Sequence, residues 1–283
     1  GARNRTEGVP AENNVDLTGM ETLHFRSDEE PPRRARYAAM LHQKFSRRGL
    51  SMNEAMKHMK ERNWFTLMMV VAGDADTSIL NYSRRYSKAL EAVKALFTSS
   101  TNKTLASMVI VTTKKGPLFF SDMAVNTSPT SEELVDITRA TAAAVKRFGI
   151  EPVIAMLSHS NFGTDNEYEA SKVAKAVEVL HDRYPEIIVD GEMKADIALD
   201  KKTRNEFYPF NQIGDRDVNT FIFPNLSAAN ISYKLMEKLG GAEITGPILV
   251  GLPAGVYLIA DTASVRSLIN LATIAVANAE PGE

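Results

Sequence analysis

The sequence predicts an α/β protein in which helices cover both faces of a mostly parallel β-sheet, giving three layers in the order αβα. Two observations support this prediction. Short apolar segments typical of buried strands alternate with longer segments of helical periodicity, most regularly after residue 150. Glycines and polar residues separate these segments, as is usual for loops between strands and helices.

The first part of the chain is predicted to contain two helices followed by a buried strand. One helix runs from Pro31 to a stop at Gly49, and a second covers residues 52–62 behind a capping box at Ser51. The continuous apolar run 65–71 is typical of a strand that is buried on both faces.

The middle of the chain is predicted to contain a hairpin between two helices. The first helix lies around residues 90–97, and the strands 108–112 and 118–121 flank a polar turn. A second helix has Thr130 as its N-cap and runs to Arg147.

A domain junction is predicted at Glu151-Pro152, because a proline directly after a helix stop cannot extend the helix. The elements predicted beyond it are strands at 153–157, 187–189, 220–223, 248–250 and 256–259, and helices at 167–183, 192–199, 227–239 and 264–279. Thr164 with Glu167 is expected to cap the first of these helices, and Ser264 the last.

Composition excludes several classes of function. A net charge of −2 over 283 residues provides no basic field, so we expect neither nucleic acid nor a membrane surface as a partner. The absence of cysteine excludes disulfides, a cysteine nucleophile and thiolate metal sites. No apolar run reaches the roughly 20 residues that a membrane span needs, so a soluble, cytoplasmic protein is expected.

Clusters of polar residues and glycines accompany five of the predicted strands. Residues 73–76 follow the run 65–71, and Gly246-Pro247 and Gly251 flank the strand 248–250. Residues 158–164 follow the first strand after the junction, residues 190–196 follow the second, and Asn225, Asn230 and Lys234 come after the third. Ligands of open parallel sheets bind beyond the carboxyl ends of the strands. Hydroxyl and amide groups ahead of helix N-termini can hold phosphate there, although each cluster alone is equally typical of a helix cap.

The order and spacing of five segments resemble those of a known family. The segments are 65–76, which ends in Gly-Asp-Ala-Asp, 113–122, 147–163, 189–196 and 219–251. Together they resemble the phosphotransacetylase domains of hybrid NADP-dependent malic enzymes, over most of the chain from residue 35 to residue 280. No dinucleotide-binding, P-loop or hydrolase nucleophile motif supports an alternative.

The resemblance implies a phosphotransacetylase or isocitrate dehydrogenase-like fold with two α/β domains, a cleft between them, and a homodimer. On that pattern, residues 1–150 plus 256–283 form the first domain and residues 151–255 form the second. The polar segment 1–30 is expected to be a tail, or part of a domain whose beginning lies outside this sequence.

The resemblance fails at the residues that would perform the transferase chemistry. Acting transacetylases have a Ser-Arg-Gly turn after the last strand and an Asp near the start of the last helix. These places hold Ala260, Asp261, Thr262 and Ser267. Because an arginine grips phosphate in a bidentate fork, Asp261 inverts the charge that the reaction needs. Leu80, Asn81 and Glu91 depart from the family pattern as well.

The leading hypothesis is therefore an acetyl-CoA-binding regulatory domain without catalytic residues of its own. It would control an attached malic enzyme region that uses NADP and a divalent metal. The candidate ligand contacts are Ser160, Asn161, Gly163, Asn225, Asn230, Lys234, Gly246, Pro247 and Ser264. Lys114, Lys115, Arg84 and Arg85 are candidate partners for the CoA phosphates.

Two alternatives stay open at this point. One is an active phosphate acyltransferase that converts acetyl-CoA and phosphate to acetyl phosphate and CoA with displaced residues. The other is a purely structural dimerisation module, for which the apolar helices 131–147 and 264–279 are candidate interfaces, although the default for such stripes is the core of the domain.

Overall fold

A computed structural model of the protein describes residues 23–27, 31–82, 86–98, 105–252, 255–260 and 263–279. The chain packs as two units, residues 1–75 and residues 76–283. The predicted sites Asp261, Thr262, Arg84 and Arg85 lie outside the described residues, as does most of segment 1–30.

The first unit is helical. Its elements are α1 (Pro31–Phe45), a short 3₁₀ helix (Ser46–Arg48), α2 (Met52–His58) and α3 (Arg62–Val71). The predicted stop at Gly49 and the capping box of Ser51 with Glu54 are both confirmed. The predicted second helix ends earlier than residue 62, however, at His58.

The apolar run 65–71 was wrongly predicted as a strand, since it lies in α3. A short run that is apolar at all positions but one, Thr66, has no period that separates strand from helix. The helix buries Phe65, Leu67 and Met68, and the Phe65 ring lies 5.3 Å from the Tyr37 ring of α1. After α3, the Asp74 carboxylate accepts hydrogen bonds from Arg36 and Tyr37 of α1.

The second unit carries the strands. Its elements are β1 (Thr77–Tyr82), α4 (Tyr86–Phe97), β2 (Ala106–Thr113), β3 (Gly116–Ser121), α5 (Ser131–Lys146), β4 (Val153–Leu157), α6 (Tyr168–Arg183), β5 (Ile188–Met193), α7 (Ala195–Leu199), α8 (Lys201–Phe207), β6 (Thr220–Ile222), α9 (Leu226–Gly240), β7 (Glu243–Val250), β8 (Gly255–Ala260) and α10 (Val265–Asn278). The predicted hairpin is confirmed as β2 and β3, and the Thr130 capping box as the start of α5.

Within the described residues, eight strands form one sheet in the order β1-β8-β7-β2-β3-β6-β4-β5. The pairs β1–β8, β3–β6, β6–β4 and β4–β5 are parallel, whereas β8–β7, β7–β2 and β2–β3 are antiparallel. This sheet contains strands from both predicted domains. The division of the chain at residue 150 stays a prediction.

Helices cover both faces of the sheet, so the predicted αβα layers are confirmed. On one face, α5, α6 and α10 pack against strand residues such as Ile154 and Ile222. On the other face, α7 and α9 pack against their strand neighbours Ala155 and Phe221. Successive residues of a strand point to opposite faces, which is why β4 is apolar throughout. No helix of the described residues is long and apolar enough to cross a membrane.

Candidate functional site

The candidate site lies at the carboxyl ends of the parallel strands β4, β5 and β6. The loop 158–164 follows β4, and Asn225 follows β6. Because these strands are parallel neighbours, their carboxyl ends meet at one edge of the sheet. This is the edge at which open α/β sheets bind ligands.

Glu192, the penultimate residue of β5, holds the loop 158–164 by hydrogen bonds. Its side chain is buried, and Oε1 accepts hydrogen bonds from Ser160 Oγ at 2.8 Å and from Gly163 N at 2.7 Å. Its carbonyl oxygen accepts a third bond, from Phe162 N at 2.7 Å. A buried carboxylate needs such donors to compensate its desolvation, so this acid shapes the loop.

The strand β5 is longer than the sequence predicts, because its backbone pairs with β4 as far as Met193. Asp190 was expected after the end of the strand and Glu192 at the start of the helix 192–199, but both lie inside β5, and that helix begins only at Ala195. Asp190 accepts hydrogen bonds from the backbone N–H groups of Gln212, at 2.6 Å, and Gly191. Burial nevertheless raises the pKa of Asp190 above its usual range, against the effect of those bonds.

Gly191 is the position between the two acids where only glycine fits. Its φ of +146° is a conformation that other residues rarely adopt, and a Cβ there would lie 2.5 Å from the carbonyl oxygen of Met156. The close approach of β5 to β4 at this point is what brings Glu192 beneath the loop.

Thr164 closes the loop and does not cap α6, which corrects the prediction. Its hydroxyl accepts from Asn161 N at 3.1 Å and contacts Ser160 Oγ at 3.1 Å. The N-cap position of α6 is Glu167, which makes no capping bond with its side chain. A threonine three residues before a carboxylate is typical of a cap, but here the loop offers its hydroxyl closer partners.

The predicted contacts Ser160, Asn161 and Gly163 are brought together by this loop. Ser160 Oγ and Gly163 N are already paired with Glu192, so they hold the loop in shape. Asn161 Oδ1 accepts from Lys194 N at 2.8 Å. Asn161 Nδ2 makes no hydrogen bond to the described residues.

Asn225 lies at the same edge and belongs to a hydrogen-bonded chain with Glu169 and Lys172, which the sequence analysis does not single out. Its Oδ1 caps α9 at Ala228 N, and its Nδ2 donates to Glu169 Oε2 at 3.2 Å. Glu169 Oε1 in turn accepts from Lys172 Nζ at 2.9 Å, and Lys172 is only 3% exposed. Burial raises the pKa of Glu169, but the bonds from Lys172 and Asn225 outweigh it and hold the pKa below its usual range.

Lys172 could have been found from its spacing. It precedes Ala176 and Leu180 of α6 by one and two turns, so it lies on the stripe that the helix buries. A lysine on such a stripe needs an acid within reach, and Glu169 lies three residues earlier on the same helix.

Other predicted contacts lie elsewhere. Asn230 and Lys234 are carried by α9, and the Lys234 ammonium lies 4.9 Å from the centre of the Tyr233 ring. Gly246 and Pro247 were expected ahead of a strand, but they lie inside β7, which pairs with β2. The strand extends this far because residues 243–245 also pair with β2.

The last helix begins as predicted. Ser264 Oγ accepts from Ser267 N at 3.0 Å and lies 2.9 Å from Ser267 Oγ, so Ser267 is engaged in the cap of α10. Ala260 is the last residue of β8. Lys114 and Lys115 form the turn of the β2–β3 hairpin, where β3 begins. Because β3 is parallel to β6, this turn lies at the sheet edge opposite the loop 158–164.

No cluster of acids and histidines able to hold a metal ion occurs among the residues that the structure describes. His159 lies at the surface of the loop 158–164, with Nε2 2.8 Å from Asp165 Oδ2. Backbone bonding from Glu167 and the contact with His159 hold the pKa of Asp165 below its usual range.

Comparison with known proteins agrees with this architecture. The NADP-dependent malic enzyme of Salmonella typhimurium is 35% identical over 257 residues, which cover 90% of this chain and 34% of that protein. The phosphate acetyltransferase of Bacillus subtilis is 33% identical over 227 residues, which cover 80% of this chain and 70% of that protein. This chain therefore spans about a third of the length of the malic enzymes that it matches.

The fold comparison and the family comparison point the same way. A phosphotransacetylase from Staphylococcus aureus superimposes with a TM-score of 0.84 at 25% identity, covering 99% of this chain and 84% of that one. The family described as phosphate acetyl/butaryl transferase matches residues 1–276. This chain therefore belongs to the phosphate acetyl/butaryl transferase family.

Proposed function

We propose that this chain is an acetyl-CoA-binding regulatory domain on a transferase fold that lacks the transferase residues. It acts on an attached malic enzyme region, which oxidatively decarboxylates malate to pyruvate with NADP and a divalent metal. The observation that carries the proposal is the set of residues at the transferase positions, Ala260, Asp261 and Ser267. None of these supplies a cation for phosphate, and Ser267 is occupied in the cap of α10.

The hydrogen-bonded loop 158–164 at the carboxyl ends of the strands supports ligand binding. Glu192 is 1% exposed, and its Oε1 holds Ser160 and Gly163 on either side of Asn161. Binding sites of fixed shape lose less entropy when a ligand enters. An edge retained in this form, without the transferase residues, suits recognition better than turnover.

The attached malic enzyme region is supported by the lengths of the relatives. The matching part is about a third of the malic enzymes of Salmonella typhimurium, Rhizobium meliloti and Escherichia coli. A domain of this family joined to a dehydrogenase has a physical route to control it. Acetyl-CoA must bind one arrangement of the assembly more tightly than another, and that difference sets the size of the effect.

A homodimer is part of the proposal, and the structure offers two helices for it. The large apolar side chains that α9 and α10 expose are Ile231, Leu235, Leu239, Val265, Leu268, Ile269 and Val276. The candidate helix 131–147 differs, because α5 buries Leu134, Ile137 and Val145 in the core. An interface built from α9 and α10 would cover apolar surface that is otherwise in contact with water.

The proposal is tested in the longer protein, with its malic enzyme region in place. The rate of NADPH formation from malate is measured while acetyl-CoA is titrated, with free CoA as the control. We expect a saturable change of rate with acetyl-CoA and a weaker change with CoA. A rate that is unaffected at millimolar acetyl-CoA contradicts the regulatory role.

A second assay separates the alternative enzyme. The 283-residue chain is incubated with acetyl-CoA and phosphate, and acetyl phosphate and free thiol are measured. We expect no product above background, because the position of the phosphate-binding arginine holds Asp261. Sustained turnover that depends on phosphate would establish the active acyltransferase instead.

A further inference from the structure

Three aromatic rings lie together beside the loop 158–164. The ring centres of Phe162 and Tyr208 are 4.8 Å apart with an angle of 37° between the planes. Phe210 stands nearly perpendicular to both, at 5.3 Å from Phe162 with an angle of 83° and at 6.1 Å from Tyr208 with an angle of 82°. These rings form a corner with two aromatic walls.

One ring of the aromatic corner, that of Phe210, is exposed to solvent. Phe210 is 66% exposed, whereas Phe162 and Tyr208 are half-buried and pack against the core on the α7 side of the sheet. An exposed ring held at right angles to two supported rings presents a flat apolar surface. Flat aromatic surfaces of this kind favour planar ligands, since any nucleobase offers a π face to stack on.

The backbone holds Phe162 in place at a cost in conformational energy. Its φ of +48° is in the left-handed region, which is strained for a residue with a bulky side chain. The bond from Phe162 N to Glu192 O, with the neighbouring bond from Gly163 N to Glu192 Oε1, maintains that conformation. This strained backbone conformation directs the Phe162 ring towards the core, within an otherwise polar loop.

The segment that carries Tyr208 and Phe210 is fixed just as firmly. Asn211 Nδ2 donates to the carbonyl oxygen of Tyr208 at 2.8 Å, and Gln212 N donates to Asp190 Oδ2 at 2.6 Å. The buried guanidinium of Arg204 donates to the carbonyl oxygens of Ala198, Gly214 and Arg216. Arg204 makes no ion pair to a described residue within 4 Å, so its role here is to hold these chain segments together.

We propose that Phe162, Tyr208 and Phe210 form a stacking surface for the adenine ring of acetyl-CoA. The inference rests on the proposed function, since it assigns one part of that ligand to one part of the same edge. The neighbouring Lys194 supports it, because its backbone is bonded to Asn161 and its side chain is exposed. A lysine on the chain next to this loop suits the phosphates that flank the adenosine.

The test compares two exposed phenylalanines that lie close in sequence. Phe210→Ala removes one wall of the corner, whereas Phe207→Ala removes a ring that is 67% exposed and lies outside the cluster. Phe210→Trp restores an aromatic wall. Three probes are titrated by calorimetry: acetyl-CoA, adenosine 3′,5′-bisphosphate, which lacks the pantetheine arm, and S-acetyl-pantetheine, which lacks the nucleotide.

We expect Phe210→Ala to weaken binding of acetyl-CoA and of the bisphosphate about 10-fold, the scale of one lost base stack. Its affinity for S-acetyl-pantetheine stays unchanged, and so do all affinities of Phe207→Ala. Phe210→Trp binds as the parent chain does. Equal affinity of Phe210→Ala and the parent chain for acetyl-CoA overturns the stacking surface and leaves the proposed function standing.

The outcomes also separate this inference from the proposed function. Binding of the bisphosphate that depends on Phe210, without any binding of acetyl-CoA, refutes the proposed function and the assignment of the surface to acetyl-CoA. Absence of binding by both nucleotide probes overturns both.

Discussion

Removal of the Glu192 carboxylate is the perturbation that tests the description of the site most sharply. In Glu192→Ala, Ser160 Oγ and Gly163 N both lose the acceptor that they share. Ser160 is 1% exposed, so water cannot replace its bond, whereas Gly163 is exposed and can be hydrated. A hydrogen bond to a charged group contributes about 1.5–3 kcal/mol. One such bond lost in full and another lost in part give a destabilisation of about 2–4 kcal/mol.

The matched control is Glu192→Gln, which keeps an acceptor oxygen in the same place and removes the charge. We expect it to lose about 1–2 kcal/mol, since neutral hydrogen bonds are roughly half as strong as charge-assisted ones. The assay is denaturant-induced unfolding of the 283-residue chain, followed by circular dichroism. If Glu192→Ala unfolds at the same denaturant concentration as the parent chain, Glu192 does not hold the loop as described.

Two further predictions concern single backbone and carboxylate positions. Gly191→Ala places a Cβ 2.5 Å from the carbonyl oxygen of Met156, whereas in Gly163→Ala no atom lies within 4 Å of the added carbon. We therefore expect a lower thermal midpoint for Gly191→Ala than for Gly163→Ala. Equal midpoints would contradict the close approach of β4 and β5. Hydrogen bonds from Arg36 and Tyr37 hold the pKa of Asp74 below its usual range. The stability that Asp74 adds is therefore fully present above the pKa that this carboxyl has in the unfolded chain. It is lost as the pH falls through the lower pKa of the folded chain. Thermal midpoints measured in acid should therefore fall less steeply for Asp74→Asn than for the parent chain, and parallel curves would exclude this contribution.

The layers and most element positions follow from local sequence patterns. The β2–β3 hairpin, the capping boxes at Ser51 and Thr130, and the cap of α10 at Ser264 all depend on residues close in sequence. The residues that make these hydrogen bonds lie close together in the sequence, so a local pattern identifies them. These features could therefore be predicted without a structure.

The errors arise where distant residues decide the conformation. The apolar run 65–71 is helical because its buried face packs against α1, including Tyr37. β5 continues to Met193 because its residues 190–193 pair with Ala155–Leu157 of β4, which are distant in the sequence. Neither contact leaves a periodic signal in the segment concerned.

The sequence predicts where the candidate site lies but does not predict its hydrogen bonds. The loop 158–164 and Asn225 were found as polar residues after strands, but their hydrogen bonds to Glu192 and Glu169 depend on how the strands are paired. Phe162 has no polar side-chain group, so a pattern of hydrogen-bond donors does not single it out. Its role in the aromatic corner appears only when Tyr208 and Phe210 are placed beside it.

The central claim is that this chain binds acetyl-CoA, and calorimetric titration of the purified 283-residue chain tests it most directly. Acetyl-CoA is titrated beside free CoA, and the thermal midpoint is measured at the same concentrations. The account predicts saturable binding of one acetyl-CoA per chain and a raised midpoint, because a ligand that binds the folded state stabilises it. Neither heat nor a shift of the midpoint at millimolar acetyl-CoA would contradict the account and favour a module that serves only dimerisation.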